Sequence, residues 1–437
     1  MNIVLLSGGS GKRLWPLSND IRSKQFIKIF KTEGGEYESM VQRVYRQIKK
    51  VNPDTSITVA TSKSQVSVIN NQLRGGVSIS VEPCRRDTFP AIVLATAYLT
   101  DVLGVSPEES VVVCPVDPYV DDGYFKTLVE LREEADKGEA NLVLMGIEPT
   151  EPSEKFGYMI PKSKDKISSV LEFKEKPDCE TAKKYIEAGG LWNGGVFAYK
   201  LGYMLGRAHE LLDFEGYEDL YAKYDTLPKI SFDYAVVEHE KNIRVVRFSG
   251  MWRDLGTWNT LTDAMDEQVV GEGIIGEGCE GVNIVNEMNV PVLAMGLKNT
   301  VISVSPEGVL VSSKEYADKI KPHVDKIDRQ IMFAEKSWGS FRVLEVEEES
   351  LTIKVTLNAG HSMNYHSHKH RDEVWTVISG EGRAMIDGKE RAIAAGDVIM
   401  MPAGCRHTVF ADTELKIIEV QTGCEISVND KEKHELP

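Results

Sequence analysis

The sequence predicts an α/β domain with a mostly parallel sheet, then a short β-rich connector, then a C-terminal β-barrel. Three features of the 437-residue chain support this order. Short apolar runs alternate with longer amphipathic ones up to residue 264, which is typical of parallel strands covered by helices. Glycine-rich segments with short apolar clusters follow, and closely spaced histidines mark the final part. We therefore expect domains at residues 1–264, 265–327 and 328–437.

Short apolar runs indicate the strands of the first domain. The expected strands are residues 1–6, 56–60, 77–81, 110–114 and 141–145, and residues 91–103 are an expected helix. Ligands in such a sheet bind beyond the carboxyl ends of the strands. The loop after Leu6 and the carboxylate of Asp117 both follow an expected strand, so both are candidates for a ligand site. Asp117 precedes Pro118, however, and could simply open a turn.

The loop after the first strand, residues 7–13, has the composition that a polyphosphate requires. It contains three glycines, whose backbone amides can approach an anion, and then the cations Lys12 and Arg13. It is not a P-loop, because Leu6 and Arg13 stand where that motif needs glycine and serine or threonine. It also lacks the third glycine of the dinucleotide fingerprint, where Leu14 stands. A tight structural turn is the alternative.

Composition limits the classes of partner. The net charge of −16 argues against nucleic acid or an anionic membrane as the main partner. No apolar run is long enough to cross a bilayer, and the apolar start is too short for a signal peptide. The six cysteines are scattered without paired spacing, which favours reduced thiols. We therefore expect a cytoplasmic protein with small-molecule ligands.

A series of motifs occurs in one order along the first domain. The motifs occupy residues 8–18, 24–26, 82–91, 156–159, 175–178, 192–195 and 252–258. In this order they resemble the sugar-nucleotide pyrophosphorylases, and most closely the bacterial mannose-1-phosphate guanylyltransferases. The resemblance implies a Rossmann-like nucleotidyltransferase domain that converts GTP and mannose 1-phosphate to GDP-mannose and pyrophosphate with Mg²⁺. A sugar phosphate is already ionised near neutral pH, so catalysis reduces to alignment and charge neutralisation.

The resemblance also assigns roles to residues of these motifs. The expected catalytic residues are Arg13, Lys24, Asp117 and Asp254, and the two aspartates are the expected ligands of one Mg²⁺. The expected nucleotide-binding residues are Leu6, Gly8, Gly9, Gly11, Lys12, Glu82, Arg86 and Asp87. The expected sugar-phosphate residues are Gly157, Glu175, Lys176 and Asn193. Taken singly, Asp254 could cap a helix near Gly256, and Lys176 could lie in an ordinary loop.

Base and sugar preference stay open, because small differences in a pocket decide them. The alternatives are a nucleotidyltransferase for another pair, such as dTTP and glucose 1-phosphate, and a nucleotide-sensing protein without activity. The β-rich connector ends in an expected helix over residues 314–326. We expect the connector either to pack as a simple linker or to support a homo-oligomer, most simply a dimer.

The last region carries a separate ligand pattern. His366 and His368 are two residues apart and would share one face of a strand, and a short turn would return Glu373 to them. His407 follows in a second hairpin. Three imidazoles and a carboxylate could hold Zn²⁺ or another divalent ion.

The glycines and proline around these residues complete a known spacing. With Gly360, Gly380, Gly396 and Pro402, the pattern fits both cupin motifs and resembles the type II phosphomannose isomerase domain. The resemblance implies a jelly-roll barrel that could isomerise mannose 6-phosphate to fructose 6-phosphate. The alternative is a metal-binding cupin without activity, with a structural or regulatory role.

Overall fold

A nine-stranded mixed sheet forms the centre of the first of two compact units in this computed structural model. The structure describes residues 1–9, 12–19, 21–427 and 430–437, so Gly11, an expected nucleotide-binding residue, lies outside the described residues. The first unit contains the chain up to Gly9, Ser23–Val66 and Gly75–Asp266. The second contains Glu267–Pro437 and two earlier stretches, Lys12–Arg22 and Ser67–Arg74. Within the described ranges, no helix is long and apolar enough to cross a membrane.

Thirteen strands and nine α-helices precede residue 267 in the described parts of the chain. The strands are β1 Asn2–Ser7, β2 Phe30–Lys31, β3 Tyr37–Glu38, β4 Ser56–Ser62, β5 Ser78–Glu82, β6 Ser110–Pro115, β7 Pro118–Val120, β8 Leu142–Ile147, β9 Tyr158–Pro161, β10 Ile167–Lys174, β11 Leu191–Lys200, β12 Ile243–Phe248 and β13 Trp252–Asp254. The helices are α1 Met40–Val51, α2 Val66–Leu73, α3 Thr88–Ala97, α4 Asp122–Asp136, α5 Cys179–Glu187, α6 Leu201–Leu211, α7 Tyr217–Ala222, α8 Phe232–Ala235 and α9 Trp258–Thr262. Short 3₁₀ turns occur at Lys12–Leu14, Lys24–Phe26, Lys63–Gln65, Tyr224–Thr226 and Val237–His239.

The large sheet is parallel in its first half and mixed in its second. Its order is β5-β4-β1-β6-β11-β8-β12-β10-β9. Strands β5, β4, β1 and β6 run parallel, and β8 runs parallel to β12, which confirms all five expected strands; β12 itself is not among them. Strand β11 runs antiparallel between β6 and β8. It is not among the expected strands, because Gly194 and Gly195 interrupt its apolar pattern and are typical of a turn.

The helix expected over residues 91–103 is shifted toward the N-terminus. Helix α3 starts at Thr88, directly after its N-cap Asp87, and a π-helical turn, Tyr98–Val102, follows it. Every residue from Phe89 to Ala97 is buried, so α3 has no solvent face. A helix that is apolar all round gives no periodic signal, and its ends are therefore poorly marked in the sequence.

The short strands β7 and β13 form a separate two-stranded antiparallel sheet. Its register pairs Trp252 with Val120 and Asp254 with Pro118. Strand β7 begins three residues after the end of β6, which is a central parallel strand. The small sheet therefore lies beyond the carboxyl end of that strand, where the architecture places ligands.

Seventeen strands and one α-helix follow residue 266 in the described parts of the chain. The strands are β14 Val269–Val270, β15 Gly273–Ile275, β16 Asn283–Asn286, β17 Val292–Ala294, β18 Thr300–Ser305, β19 Gly308–Ser313, β20 Phe333–Lys336, β21 Gly339–Val346, β22 Ser350–Leu357, β23 His366–Ser367, β24 Arg371–Ser379, β25 Glu381–Ile386, β26 Lys389–Ala394, β27 Val398–Met401, β28 His407–Ala411, β29 Leu415–Gly423 and β30 Glu432–Lys433, and the helix is α10 Lys321–Val324.

The connector, residues 267–327, stacks short parallel strands in solenoid fashion. Strands β14, β16 and β18 pair in parallel, and so do β15 and β17. The single helix expected over residues 314–326 is wrong. The chain forms a 3₁₀ helix, Lys314–Lys319, and then α10, because Pro322 has no backbone N–H and is tolerated only in the first turn of a helix.

Two antiparallel sheets form the C-terminal barrel. The six-stranded sheet has the order β20-β21-β22-β29-β24-β27, and the five-stranded sheet has the order β26-β25-β28-β23-β30. Apolar side chains between them, such as Trp375, Val409 and Ile417, are at most 1% exposed. This arrangement agrees with the expected jelly-roll barrel.

Candidate active site and metal centre

Two carboxylates from distant parts of the chain meet at the small β7–β13 sheet. Asp117 directly precedes β7, and Asp254 is the last residue of β13. The antiparallel register places Asp254 opposite Pro118, the neighbour of Asp117. The Nζ atom of Lys24 is 2.8 Å from Asp117 Oδ2 and 3.4 Å from Asp254 Oδ1. The structure therefore brings together three of the expected catalytic residues.

The charges in this cluster are unequal. Lys24 is largely buried, and burial alone would lower the pKa of its ammonium group. The carboxylates of Asp117 and Asp254 outweigh that effect, so the pKa of Lys24 is raised and the group stays protonated at neutral pH. Two carboxylates then face one ammonium group. Because carboxylate oxygens are ligands that Mg²⁺ prefers, the two aspartates fit the expected magnesium pair.

The two aspartates open onto a cleft with a volume of about 240 Å³. Three of the expected sugar-phosphate residues, Gly157, Glu175 and Asn193, line the same cleft. The fourth, Lys176, is exposed beside it, and its Nζ atom lies 2.8 Å from Glu175 Oε1. The expected magnesium and sugar-phosphate residues thus belong to one site.

Gly157 is where the wall of this cleft is most tightly packed. A Cβ atom at this position would lie 2.4 Å from Glu175 Oε2 and 3.1 Å from Phe173 Cζ. The carbonyl oxygen of Gly157 accepts a hydrogen bond from the backbone N–H of Asn193 at 2.8 Å. Gly157 therefore allows the Glu175 and Asn193 side chains to approach one another across it.

Asp233 is a residue of this site that the motifs do not include. It lies in the one-turn helix α8 and lines the cleft. The Nδ2 atom of Asn193 donates to Asp233 Oδ1 at 2.6 Å, and Asn193 Oδ1 accepts from the N–H of Gly195 at 3.1 Å. Burial, and then the charge of Glu175, raise the pKa of Asp233 to about 6. A lone aspartate in a short helix gives no sequence signal, so only the fold reveals this partner.

The two carboxylate oxygens of Glu175 differ in their contacts. Its Oε1 atom pairs with Lys176, whereas Oε2 is buried and has no hydrogen-bond donor among the described residues. A buried acceptor without a donor is costly, so such atoms commonly await a ligand or an ordered water. The hydroxyl group of a sugar is a donor of the right chemistry for Oε2.

Two expected nucleotide-binding residues, Glu82 and Gly8, lie close together at the carboxyl ends of parallel strands. Glu82 ends β5, and Gly8 follows β1, in which Leu6 pairs with Ala60 and Pro115. A Cβ atom on Gly8 would lie 3.9 Å from Glu82 Oε1. Glu82 is buried, and burial raises its pKa, although its Oε2 accepts a 2.8 Å hydrogen bond from the hydroxyl of Tyr224.

Arg86 and Asp87 follow Glu82 in the next loop. Asp87 has a φ of 70° and caps α3 by accepting a hydrogen bond from the N–H of Thr88 at 2.8 Å. Asp87 therefore has a structural function here, whatever its role toward a ligand. The Nε atom of Arg86 is buried without an acceptor among the described residues.

A buried polar network holds the start of the glycine loop. Gln65 Nε2 donates to the carbonyl oxygen of Gly9 at 3.3 Å and to Ser23 Oγ at 2.7 Å. Gln25, from the second motif, donates to Ser7 Oγ at 3.1 Å. The sequence gives no reason to single out Gln65, because glutamines in connecting turns are usually exposed.

The two loop cations, Lys12 and Arg13, fold with the second unit. The Nζ atom of Lys12 lies 3.4 Å from Asp325 Oδ1, near the end of the connector. Arg13 is exposed to solvent. The first unit, which contains the Lys24 cluster, does not include Arg13, and the catalytic role expected for Arg13 stays a prediction.

The barrel contains a compact cluster of possible metal ligands. One ligand atom each from His366, His368, Glu373 and His407 lies within 4.8 Å of the others, and all four residues are buried. His366 and His407 pair across β23 and β28, and Glu373 comes from β24 in the opposite sheet. The two sheets thus build the site jointly, as the spacing predicts.

Hydrogen bonds orient the imidazoles toward the centre of the cluster. The Nδ1 atoms of His366, His368 and His407 lie 2.7, 2.8 and 3.0 Å from backbone carbonyl oxygens. Each ring therefore donates through Nδ1 and presents the lone pair of Nε2 inward, as metal-binding histidines do. Burial lowers the pKa of His366 to about 3, so this imidazole is neutral, the form that binds metal.

Glu373 completes the donor set. Its Oε1 atom lies 3.0 Å from His368 Nε2, and its Oε2 atom lies 3.2 Å from His407 Nε2. Burial alone would raise the pKa of Glu373, but its close contacts with His368 and His407 outweigh that effect and hold the pKa below its usual range. Neutral imidazoles with one carboxylate form a donor set that suits Zn²⁺ and other divalent transition metals.

Two family models and several known proteins match this chain. The family model described as nucleotidyl transferase matches residues 2–269, and the cupin domain model matches residues 353–421. The chain is 27% identical to mannose-1-phosphate guanylyltransferase RfbM of Salmonella typhimurium, over 98% of this chain and 95% of that protein. It is 28% identical to alginate biosynthesis protein AlgA of Pseudomonas putida, over 99% and 95% of the two chains.

A solved structure covers most of the chain. It is described as a mannose-1-phosphate geranyltransferase from Thermus thermophilus and is 29% identical to this chain. The match covers 74% of this chain and 98% of that one, with a TM-score of 0.61. These likenesses extend over both units of the chain.

The raised pKa of Asp233 predicts a pH-dependent stability difference. The folded protein holds this proton more tightly than the unfolded chain, so ionisation of Asp233 destabilises the fold as pH rises from about 4 to about 6. Asp233→Asn removes that cost. The difference in melting temperature between Asp233→Asn and wild type is expected to grow by up to about 5 °C from pH 4 to pH 7 and then to stay constant. Asp225→Asn, at an exposed position, is the control, and a pH-independent difference for Asp233→Asn would contradict the burial argument.

Proposed function

This chain belongs to the nucleotidyl transferase family, and we propose that it transfers the guanylyl group of GTP to mannose 1-phosphate. An oxygen of the sugar phosphate attacks the α-phosphorus, a P–O bond forms, the bond to the β-phosphate oxygen breaks, and pyrophosphate leaves. The observation that carries the proposal is that Asp117 and Asp254, which both contact Lys24, line the same cleft as Gly157, Glu175 and Asn193.

The reaction needs charge neutralisation more than proton transfer. The attacking phosphate oxygen is ionised at neutral pH, so a general base is unnecessary. Asp117 and Asp254 would hold Mg²⁺, which when bound would neutralise charge on the phosphates. Lys24 is protonated and buried between the aspartates. Its ammonium group can therefore exchange a contact with a carboxylate for one with a phosphate oxygen.

Polar groups at the other end of the cleft suit a sugar phosphate. Glu175 Oε2 and the side chain of Asn193 supply acceptors and a donor for sugar hydroxyls. Asp233 orients the Asn193 amide, since it accepts from Nδ2. Lys176 is exposed beside them and is a cation for the sugar phosphate group. Hydroxyl recognition of this kind discriminates among sugars, because a buried acceptor left unpaired is costly.

The carboxylate of Glu82 favours guanine over the other bases. Guanine presents an N1–H and an amino group on its Watson–Crick edge, and both donate to a carboxylate. Glu82 lies at the end of β5 beside Gly8 of the glycine loop. Relatives over the full length of this chain are named for the same nucleotidyl transfer to mannose 1-phosphate.

The barrel supports a second candidate function, isomerisation of mannose 6-phosphate. Glu419 faces the same side of the six-stranded sheet as Glu373, since Glu419 pairs with Trp375 and Gln421 with Glu373. Burial, and then the charge of Glu373, raise the pKa of Glu419 well above its usual value. A carboxyl group with such a pKa can take and return a proton near neutral pH. Zn²⁺ or another divalent ion, held by His366, His368, Glu373 and His407, would polarise the substrate oxygens when bound.

Pyrophosphate release with Mg²⁺ tests the main proposal. GTP, ATP, CTP, UTP and dTTP are each combined with mannose, glucose and fucose 1-phosphates, and release is expected with GTP and mannose 1-phosphate. Asp117→Asn keeps the shape but removes the charge, so kcat is expected to fall about a hundredfold or more. Asp136→Asn, whose side chain is exposed and paired with Arg132, is the control and should stay within about twofold of wild type.

A different preferred pair of substrates would refute the assignment of base or sugar. Equal activity of Asp117→Asn and wild type would refute the role of the aspartate pair.

Gly157→Ala tests the sugar end of the cleft. The added methyl group displaces Glu175, so KM for mannose 1-phosphate is expected to rise about tenfold while KM for GTP changes little. Gly206→Ala is a matched control, because a Cβ atom there meets nothing within 4 Å on an exposed turn of α6. An increase in KM for GTP alone would contradict sugar binding at this end of the cleft.

The barrel is tested by metal content and isomerase activity in the same samples. Wild-type protein is expected to retain one divalent ion per chain by elemental analysis, and His407→Gln should bind it about a hundredfold more weakly. His361→Gln, an exposed histidine of the same barrel, is the control. Formation of fructose 6-phosphate by the metal-loaded protein supports the isomerase, whereas bound metal without turnover supports the barrel without activity.

A further inference from the structure

Residues 12–22, here called the cation loop, follow the first two glycines of the phosphate motif and include Lys12 and Arg13. This loop belongs to the same compact unit as the connector, residues 267–327. Its contacts with the connector go beyond what a simple linker needs. They involve buried charges and directed hydrogen bonds.

Arg22 and Glu287 form the first anchor. Arg22 Nη1 and Nη2 each donate to one carboxylate oxygen of Glu287, both at 2.8 Å. The Arg22 side chain is 7% exposed and that of Glu287 is 26% exposed. Arg22 Nη1 also donates to the carbonyl oxygen of Leu17 at 3.3 Å, within the loop itself. A bidentate pair of this kind defines orientation as well as distance.

Asn19 and Glu307 form the second anchor. Asn19 Nδ2 donates to Glu307 Oε1 at 2.9 Å and to the carbonyl oxygen of Phe333 at 3.0 Å. The other side of the same amide, Oδ1, accepts from the backbone N–H groups of Ile21 and Arg22 at 2.9 and 2.6 Å. One side chain thus holds the loop backbone and ties it to the turn between β18 and β19.

The tip of the cation loop packs on the same turn. Ser305 Oγ donates to the carbonyl oxygen of Pro16 at 2.6 Å. Gly308 leaves room for the indole of Trp15, since a Cβ atom at 308 would lie 2.7 Å from Trp15 Cζ2. Near the start of the loop, Lys12 lies 3.4 Å from Asp325. Contacts therefore run along the loop from its first residue to its last.

Buried ion pairs are a weak source of stability, because desolvation of the charges offsets much of their attraction. A simple packing contact would be served equally well by apolar side chains. The bidentate Arg22–Glu287 pair and the Asn19 amide, which forms hydrogen bonds through both Nδ2 and Oδ1, instead select one loop conformation. That conformation sets the backbone that carries Lys12 and Arg13.

We propose that the connector is a positioning element for the nucleotide, in which Glu287 and Glu307 hold the cation loop so that Lys12 and Arg13 are preorganised for the triphosphate. This inference rests on the proposed function. It assigns a positioning role to two connector carboxylates whose observed contacts are with the cation loop. The β-solenoid is then part of the catalytic architecture and not only a spacer.

Steady-state kinetics of Glu287→Gln test this proposal. The substitution keeps the shape of the side chain and removes its charge, so KM for GTP is expected to rise about fivefold or more. KM for mannose 1-phosphate should change by less than about twofold, because the sugar residues lie outside the loop. Glu287→Asp, which keeps the charge, should recover part of the loss. A general loss of folding would move both KM values and the melting temperature together, which separates it from a positioning effect.

A control and a second variant complete the test. Glu280→Gln removes an exposed pair with Lys298 in the same connector and should behave as wild type. Asn19→Ala removes the second anchor and leaves both side chains of the Arg22–Glu287 pair in place, and it should also raise KM for GTP. Folded Glu287→Gln and Asn19→Ala proteins with wild-type KM for GTP would overturn the proposal.

The failure of the proposed function would look different. In that case the wild-type protein releases no pyrophosphate with any substrate pair. GTP binding measured by calorimetry then decides the positioning role, with weaker binding by both variants supporting it. Equal binding by variants and wild type, or no binding by any of them, would overturn it.

Discussion

The pairing of β7 with β13 is the constraint on which the first site depends. Asp117 and Asp254 belong to distant parts of the chain, and only this short antiparallel register places them side by side. Two adjacent carboxylates would repel one another, so the protonated Lys24 between them is part of the same structure. Two carboxylates around one ammonium group leave a net negative charge, which suits the divalent ion proposed for this site.

Packing around this cluster explains the remaining residues of the cleft. Gly157 permits the close approach of Glu175 and Asn193, and Asp233 holds the Asn193 amide in one orientation. The register of β11 with β8 shifts between Asn193 and Phe197, and Asn193, Gly194 and Gly195 line the cleft in this irregular part of the strand. Each side chain is thus held by a neighbour that does not itself need to contact substrate. The anchors of the cation loop follow the same principle in the second unit.

Much of this organisation could be predicted from the sequence, because its signals are local. The parallel strands are short apolar runs, and the histidine ligands follow the two-residue period of a strand. Strand β11 could not be predicted, since its glycines resemble a turn. Pro322 divides the predicted helix in two. Asp233, Gln65 and Glu287 leave no local pattern, because they act through partners that only the tertiary fold brings near.

In the proposed reaction, the carboxylate–lysine cluster promotes direct attack of the sugar phosphate on the nucleotide, with no covalent intermediate on the protein. The stereochemical course at the α-phosphorus distinguishes one displacement from two. One diastereomer of GTP with sulfur on the α-phosphate is reacted with mannose 1-phosphate, and the configuration of the product is determined by phosphorus NMR. A single in-line displacement predicts inversion. Retention of configuration would indicate two displacements and would rule out direct attack.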